Sequence, residues 1–200
     1  MKISLDRDNS WCPQQLYVFG TFQEDGTPDF GLFCWFTYAW TDGLAAIGCI
    51  GEDKLTLDRI RATKVFSANL VTEAMLPLSD YFGTVSGRDP DKMKIPFQWE
   101  RGEKLNVPIL TDCAVCHELE VRELIPLNDE GSTVFICDIR NTLVDPMLAD
   151  ESIPSGERLA RLAPVRTAGH NEYWSWQGQP LGKWNELARQ IRDDIGTPDN

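Results

Sequence analysis

The most legible chemical motif in this chain is "CAVCH", Cys113 to His117, which sets two thiols and an imidazole at C-x-x-C-H spacing. That spacing serves covalent haem attachment, and thiols with imidazole also suit zinc. Along an extended strand side chains alternate, so Cys113, Val115 and His117 fall on one face and Cys116 on the other. Thiols on opposite faces do not reach the two vinyl groups of one porphyrin, and zinc would want a second ligand pair at similar spacing. The favoured reading is core packing of Cys113 and Val115 beside a hydrogen-bonded His117. A haem or zinc protein built on Cys113, Cys116 and His117 is the minor alternative.

A second set of residues reads, taken alone, as a helix start, a charged loop and an aromatic strand. In "EDKLTLDRIRATKVF" Thr56 precedes Leu57, Ile60 and Lys64 at helical spacing, with Asp58 in the first turn. Thr56 therefore reads as an N-cap, with the free amides of Leu57 and Asp58 at the positive end of a helix dipole and Lys54 as added charge. "SGRDPDK" carries Ser86, Gly87 and Lys92 within a segment rich in Gly, Pro and charge, 83–108, which reads as a long ordered loop or lid. The run Phe33, Cys34, Trp35, Phe36 offers aromatic surface, either as core or as a wall for a planar ligand. No Ser-His-Asp or paired-carboxylate signature is present and there are two histidines, so no catalytic side chain is named.

The elements that must position these residues are mostly strands. "QLYVFGTF", "FGLFCWFTYAW" and "LAAIGCI" read as three consecutive antiparallel strands, the first two joined by a tight turn at Asp25-Gly26. Apolar residues take both parities of the second run, which predicts cover on both faces. A short helix from Thr56 leads into "VFSANLV", and a second helical piece ends at Gly83. "CAVCHELEVRELIPL" and "STVFICDIRNTLVD" form another antiparallel pair, followed by the connector "DPMLADESIPSGERLARLAP". Trp184, Leu187, Ala188, Ile191 and Ile195 predict an amphipathic helix over about 183–196.

Acidic residues outnumber basic ones 31 to 19, for a formal charge of -12, which disfavours nucleic acid and anionic membrane surfaces as partners. No signal peptide or membrane-spanning stretch is visible, and the six cysteines lie scattered in apolar segments, so a cytoplasmic protein with reduced thiols is expected. With 200 residues, 42% hydrophobic, one domain over 1–200 is expected.

Taken in order, "VFGTFQEDGTPDF" with "CWFTYAW", "DKLTLDRIRATKVFSANLV", "YFGTVSGRDPDK", "VPILTDCAVCHELEV" and "NEYWSWQGQPLGKW" resemble the flavin reductase-like family, and its flavoredoxins in particular, over a core of about 12–184. The resemblance implies a mainly β fold with peripheral helices, a split β-barrel of Greek-key type that binds FMN. By the same resemblance Thr56 and Lys92 hold the phosphate, with Lys54, Ser86 and Gly87 beside it. Phe33, Cys34, Trp35 and Phe36 line the ring, and Tyr173, with Trp174, belongs to the segment that closes over it. The "CAVCH" segment becomes a barrel strand opened by a Cys.

Two positions depart from the family pattern. Asp29 stands where the family has a ring-contacting Asn, and Ser132 where it has a His. A carboxylate at 29 would repel an anionic reduced flavin unless protonated or turned away. The resemblance implies an oxidoreductase passing electrons from NADH or NADPH through FMN to a free flavin, a metal complex or a protein acceptor. The alternative is a non-enzymatic FMN-binding electron carrier. A homodimer is expected in either case.

Overall fold

Every residue of β2 (Tyr17–Phe22) is buried, because the two parities of "YVFGTF" pack into two different cores. β2 follows a two-residue strand, β1 (Gln14–Gln15), and pairs with β3 (Pro28–Phe33) across the expected Asp25-Gly26 turn. Gly26 there takes a φ of +84°, and the amide of Thr27 donates to Asp25 Oδ1 at 2.9 Å. The computed structural model describes residues 2–4, 6–51, 53–128, 131–168 and 172–176.

The predicted second strand is in fact two. It breaks at Cys34 and Trp35, and β4 (Phe36–Trp40) runs on to pair with β5 (Leu44–Ile50), not beside β2. Next come α1 (Leu55–Thr63), β6 (Val65–Leu70) and α2 (Leu76–Thr84). A small hairpin of β7 (Trp99–Arg101) and β8 (Pro108–Leu110) precedes the long pair β9 (Val115–Pro126) and β10 (Thr133–Val144). The seven-stranded sheet has the order β3-β2-β6-β9-β10-β5-β4. Its two edge strands, β3 and β4, are thus joined by only the two residues of the break, and that short link bends the sheet toward a barrel. Register shifts in the β9–β10 pair add the local twist that closure requires.

Phe19, Phe66 and Phe135 fill the barrel, fully buried, with ring centroids 5.0 to 6.2 Å apart. Truncating one of them to Ala costs about 3–5 kcal/mol. The ring of Phe135 lies over Gly48, where any Cβ would stand 2.2 Å from it. α1 closes one end through Leu57 and Ile60, while α2 covers the outer face of β2 and β3 through Phe82 on Phe30. Expected cover on both faces holds for β3 as far as Gly31, but Thr37, Tyr38 and Trp40 of β4 are exposed.

The connector after β10 folds as two short helices, α3 (Pro146–Ala149) and α4 (Ser155–Leu162). β11 (Val165–Ala168) then bridges β1 and β12 (Glu172–Ser175) in a three-stranded sheet. The expected helix over about 183–196 lies outside the described residues.

Candidate functional site

The sharp turn from β5 into α1 brings the helix start against the 83–92 segment, and a small polar cavity of about 190 Å3 lies between them. Lys54, Thr56, Ser86, Gly87 and Lys92 all line it. Arg88 holds the two walls together by pairing with Asp53 and with Asp58, the latter at 2.8 Å. Tyr81 of α2 donates to the Lys92 carbonyl at 3.1 Å. The 83–108 segment is therefore folded onto the body, with a 3-10 turn at Lys92–Lys94 and the β7–β8 hairpin within it.

Thr56 is not the N-cap. Lys54 caps α1, and the amides of Leu57 and Asp58, expected to be free, both point to the Lys54 carbonyl at 3.0 and 3.2 Å. The amides without an intrahelical acceptor are those of the first two positions, Leu55 and Thr56. The helix thus starts two residues earlier than expected, and Thr56 turns its side chain inward, where it is buried.

Asp29, Thr56 and Lys92 meet there. Thr56 Oγ1 donates to Asp29 Oδ2 at 3.4 Å, and Lys92 Nζ pairs with Asp29 Oδ1 at 3.5 Å and donates to the Phe30 carbonyl. The ammonium is 3% exposed and the carboxylate 0%. Burial raises the carboxyl pKa of Asp29, with Lys92 and Thr56 offsetting only part of the rise. Burial likewise lowers Lys92, against the attraction of Asp29. Each partner is thus pushed toward its neutral form, and contacts of 3.4 and 3.5 Å are too long to compensate fully. Gly87 lets the loop backbone close over this cluster, since a Cβ there would stand 3.0 Å from Leu55 and 3.3 Å from the Asp29 oxygens.

The polar cavity continues into a wider one of about 440 Å3 with aromatic and polar walls, the two sharing Leu32, Phe33, Gly83 and Thr84. Cys34, Trp35 and Tyr173 line the second cavity. The Tyr173 hydroxyl donates to Asp80 on α2, and burial together with that carboxylate pushes its pKa up to about 12. Trp35 is 53% exposed, so its indole stands at the mouth. A polar end with an ammonium and hydroxyls, joined to a wider end with aromatic walls, is the shape of a site for a ring with a charged tail.

The model of the flavin reductase like domain matches residues 9–159 of the chain. The chain belongs to that family. Among solved structures of the split barrel, the flavoredoxin of Desulfovibrio vulgaris (Miyazaki F) aligns at a TM-score of 0.82 with 24% identity, over 94% of this chain and 100% of that one. The flavoredoxin of Methanosarcina acetivorans gives 0.82 and 20%, over 96% and 99%. An FMN-binding protein of Thermus thermophilus gives 0.72 and 20%, over 92% and 97%. No curated protein sequence matches.

Of the residues that the flavin reductase-like resemblance pointed to, the groove gathers Phe33, Cys34, Trp35, Lys54, Thr56, Ser86, Gly87, Lys92 and Tyr173, with Asp29 beneath them. Phe33 also stacks on Phe19 at 4.7 Å, so it serves core and groove together. Phe36 faces the barrel interior against Tyr17 and Phe19, and its free edge lines a further cavity beyond Trp35. Ser132 stays in the β9–β10 turn, where its amide donates to Asn128 Oδ1 at 2.9 Å, and it lines none of these cavities.

The "CAVCH" geometry differs from the alternation argument. Cys113 precedes β9 in a turn and donates to the carbonyls of Leu70 and Val115, so it shares no strand face with His117. The Cys116 thiol donates to Asn69 Oδ1 at 3.3 Å, and its neighbour Cys113 together with burial raises its pKa. His117 is satisfied by Tyr38 at 2.8 Å and Thr142 at 3.0 Å. Asp80, Gly83 and Thr84 are groove residues that single-sequence reasoning missed, because α2 reaches the groove only through tertiary packing.

Proposed function

We propose that the chain is an FMN-binding oxidoreductase that passes electrons from NADH or NADPH to a small-molecule or protein acceptor. The observation that carries this reading is the convergence of Thr56 and Lys92, 36 positions apart in the sequence, on one polar cavity that opens onto an aromatic-walled one. Thr56, Ser86, Lys54 and Lys92 would hold the phosphate, and Phe33, Cys34 and Trp35 the ring. Bound flavin supplies hydride and electron transfer chemistry. The chain's residues bind and orient it, exclude water from one face and provide no acid or base of their own. For Lys92 to reach the phosphate, Asp29 must release it or take up a proton.

The flavoredoxin matches support a second reading, an FMN-binding electron carrier without useful nicotinamide turnover. Anaerobic mixing with NADH or NADPH separates the two. Rapid bleaching of the flavin absorbance is expected for the reductase, and a stable yellow colour would overturn it in favour of the carrier.

The same reading includes a homodimer and a cytoplasmic location. Trp40 and Leu44, 80% and 57% exposed at the β4–β5 edge, are apolar surface that a second copy would cover. Elution at the mass of a single 22.6 kDa chain would count against the dimer. All six cysteines are free, which supports a reducing compartment, and among the described residues no helix is long and apolar enough to cross a membrane.

A further inference from the structure

Asp29 holds its charge with donors that the flavin reading asks for elsewhere. Thr56 Oγ1 donates to Asp29 Oδ2 at 3.4 Å, Lys92 Nζ pairs with Oδ1 at 3.5 Å, and the Phe30 backbone amide also favours the charge. A hydroxyl has one proton to give. Once Thr56 and Lys92 turn to a phosphate in the cavity they line, Asp29 keeps only the Phe30 amide. Its carboxylate is 0% exposed, so bulk water does not replace the two lost partners, and a buried charge stripped of donors is strongly disfavoured. Lys54 meanwhile repels the Lys92 ammonium across the same cavity, so an anion there relieves a repulsion as it draws Lys92 from Asp29.

A spare donor stands beside the carboxylate. Thr21 Oγ1 is buried and has no hydrogen-bond partner among the described residues, an uncommon state for a hydroxyl inside a protein. Thr21 on β2 is the cross-strand partner of Asp29 on β3. The two strands send Tyr17, Phe19 and Phe33 to the barrel core, and Val18, Phe30 and Leu32 to the core under α2. By that alternation Thr21 and Asp29 share the barrel side. Directly opposed side chains have Cβ atoms about 4.5–5.5 Å apart, which lets a hydroxyl reach a carboxylate after rotation about each Cα–Cβ bond.

We infer that Thr21 is a positioning residue for the flavin tail: as Lys92 and Thr56 turn to the phosphate, Asp29 turns to accept a hydrogen bond from the Thr21 hydroxyl. The inference rests on the flavin reading and accounts for how Asp29 stays charged and buried while its partners are used. Thr21 thereby sets the preference for a flavin with a phosphate without touching the phosphate itself.

Parallel titrations of the chain with FMN and riboflavin, read by flavin fluorescence, and urea unfolding of the free chain test this on Thr21→Val. FMN binding should weaken about tenfold, the loss of one hydrogen bond to a charged group, with riboflavin affinity within about twofold of the wild type. The urea midpoint of the free chain should stay equal or rise, because an unpartnered buried hydroxyl gives way to a methyl of the same shape. Thr21→Ser restores FMN affinity to within about twofold of the wild type. In an Asp29→Ala background, Thr21→Val should change FMN affinity by less than about twofold. Unchanged FMN affinity in Thr21→Val would overturn the inference and leave the phosphate site standing. So would a full tenfold loss, about the same as in the wild type, in the Asp29→Ala background, because Thr21 would then act without Asp29. Parallel falls in FMN affinity, riboflavin affinity and urea midpoint would also overturn it, as the mark of a structural hydroxyl. A wild-type chain that binds the two flavins equally, or neither, would remove the phosphate site and the inference with it. If Thr21→Val does not fold, Thr21→Ala carries the same comparison.

Discussion

Asp29 and Glu118 are both carboxylates with 0% exposure, and the protein treats them in opposite ways. Glu118 accepts the amides of Glu103, Lys104 and Leu105 at 3.0, 2.8 and 2.6 Å and the Asn141 side chain at 2.8 Å. Burial works to raise its pKa, yet these donors together hold it below the ordinary carboxylate range. Asp29 has an ammonium at 3.5 Å and a hydroxyl at 3.4 Å, and burial wins. The first carboxylate has the full set of partners that a structural buried charge needs, and it pins the loop between β7 and β8 onto the barrel. The second has longer contacts to fewer donors and sits at the polar end of a groove, among the groups that would hold an anionic tail.

Leucine at 118 should have the largest effect, since it leaves three backbone amides without an acceptor. A loss of about 3 kcal/mol in denaturant unfolding is expected, with new protease sensitivity at 102–107. Its pH signature has a definite sign. A depressed carboxyl pKa contributes stability above the ordinary carboxylate range that fades as pH falls through the folded value, and Glu118→Leu should remove that fade.

Thr56→Val comes next and acts on the other carboxylate's neighbourhood. Its contact with Asp29 is long, so stability should move by no more than about 0.5 kcal/mol, while FMN affinity by fluorescence quenching falls about tenfold for a lost hydrogen bond to phosphate. Similar losses in FMN and riboflavin affinity would move the hydroxyl away from the phosphate.

The smallest effect is expected for Asp29→Asn, which should tighten FMN binding about fivefold at neutral pH by removing a like charge. Because the folded pKa of Asp29 is raised, the wild type gains the missing proton as pH falls, and the gap between the two proteins should close on acidification. A gap that widens would contradict the assigned direction.

Much of this contrast was readable before any coordinates. Thr56 is visible by its spacing at a helix start, Lys92 and the aromatic run at 33–36 only through the flavin reductase-like resemblance, and the alternation of β9 and β10 points to their pairing. Cys34 and Trp35 interrupt "FGLFCWFTYAW" without a Gly or Pro, so the break that separates the two edge strands carried no local signal. The two-residue offset of the α1 cap, Lys54 in place of Thr56, had a similar origin, since a Thr before a periodic run reads as a cap unless tertiary packing turns it inward. Strand alternation puts Glu118 on the same face as Cys116, and nothing local says that the 103–105 amides fold back to meet it.

The central claim is that the cavity between the start of α1 and the Ser86–Lys92 loop holds a flavin phosphate. Parallel titration of the purified wild-type chain with FMN and with riboflavin, read by flavin fluorescence, tests it directly. The account predicts FMN binding at least about tenfold tighter than riboflavin, with the difference shrinking as salt is added. Equal affinity for the two flavins, or no uptake of either, would contradict it.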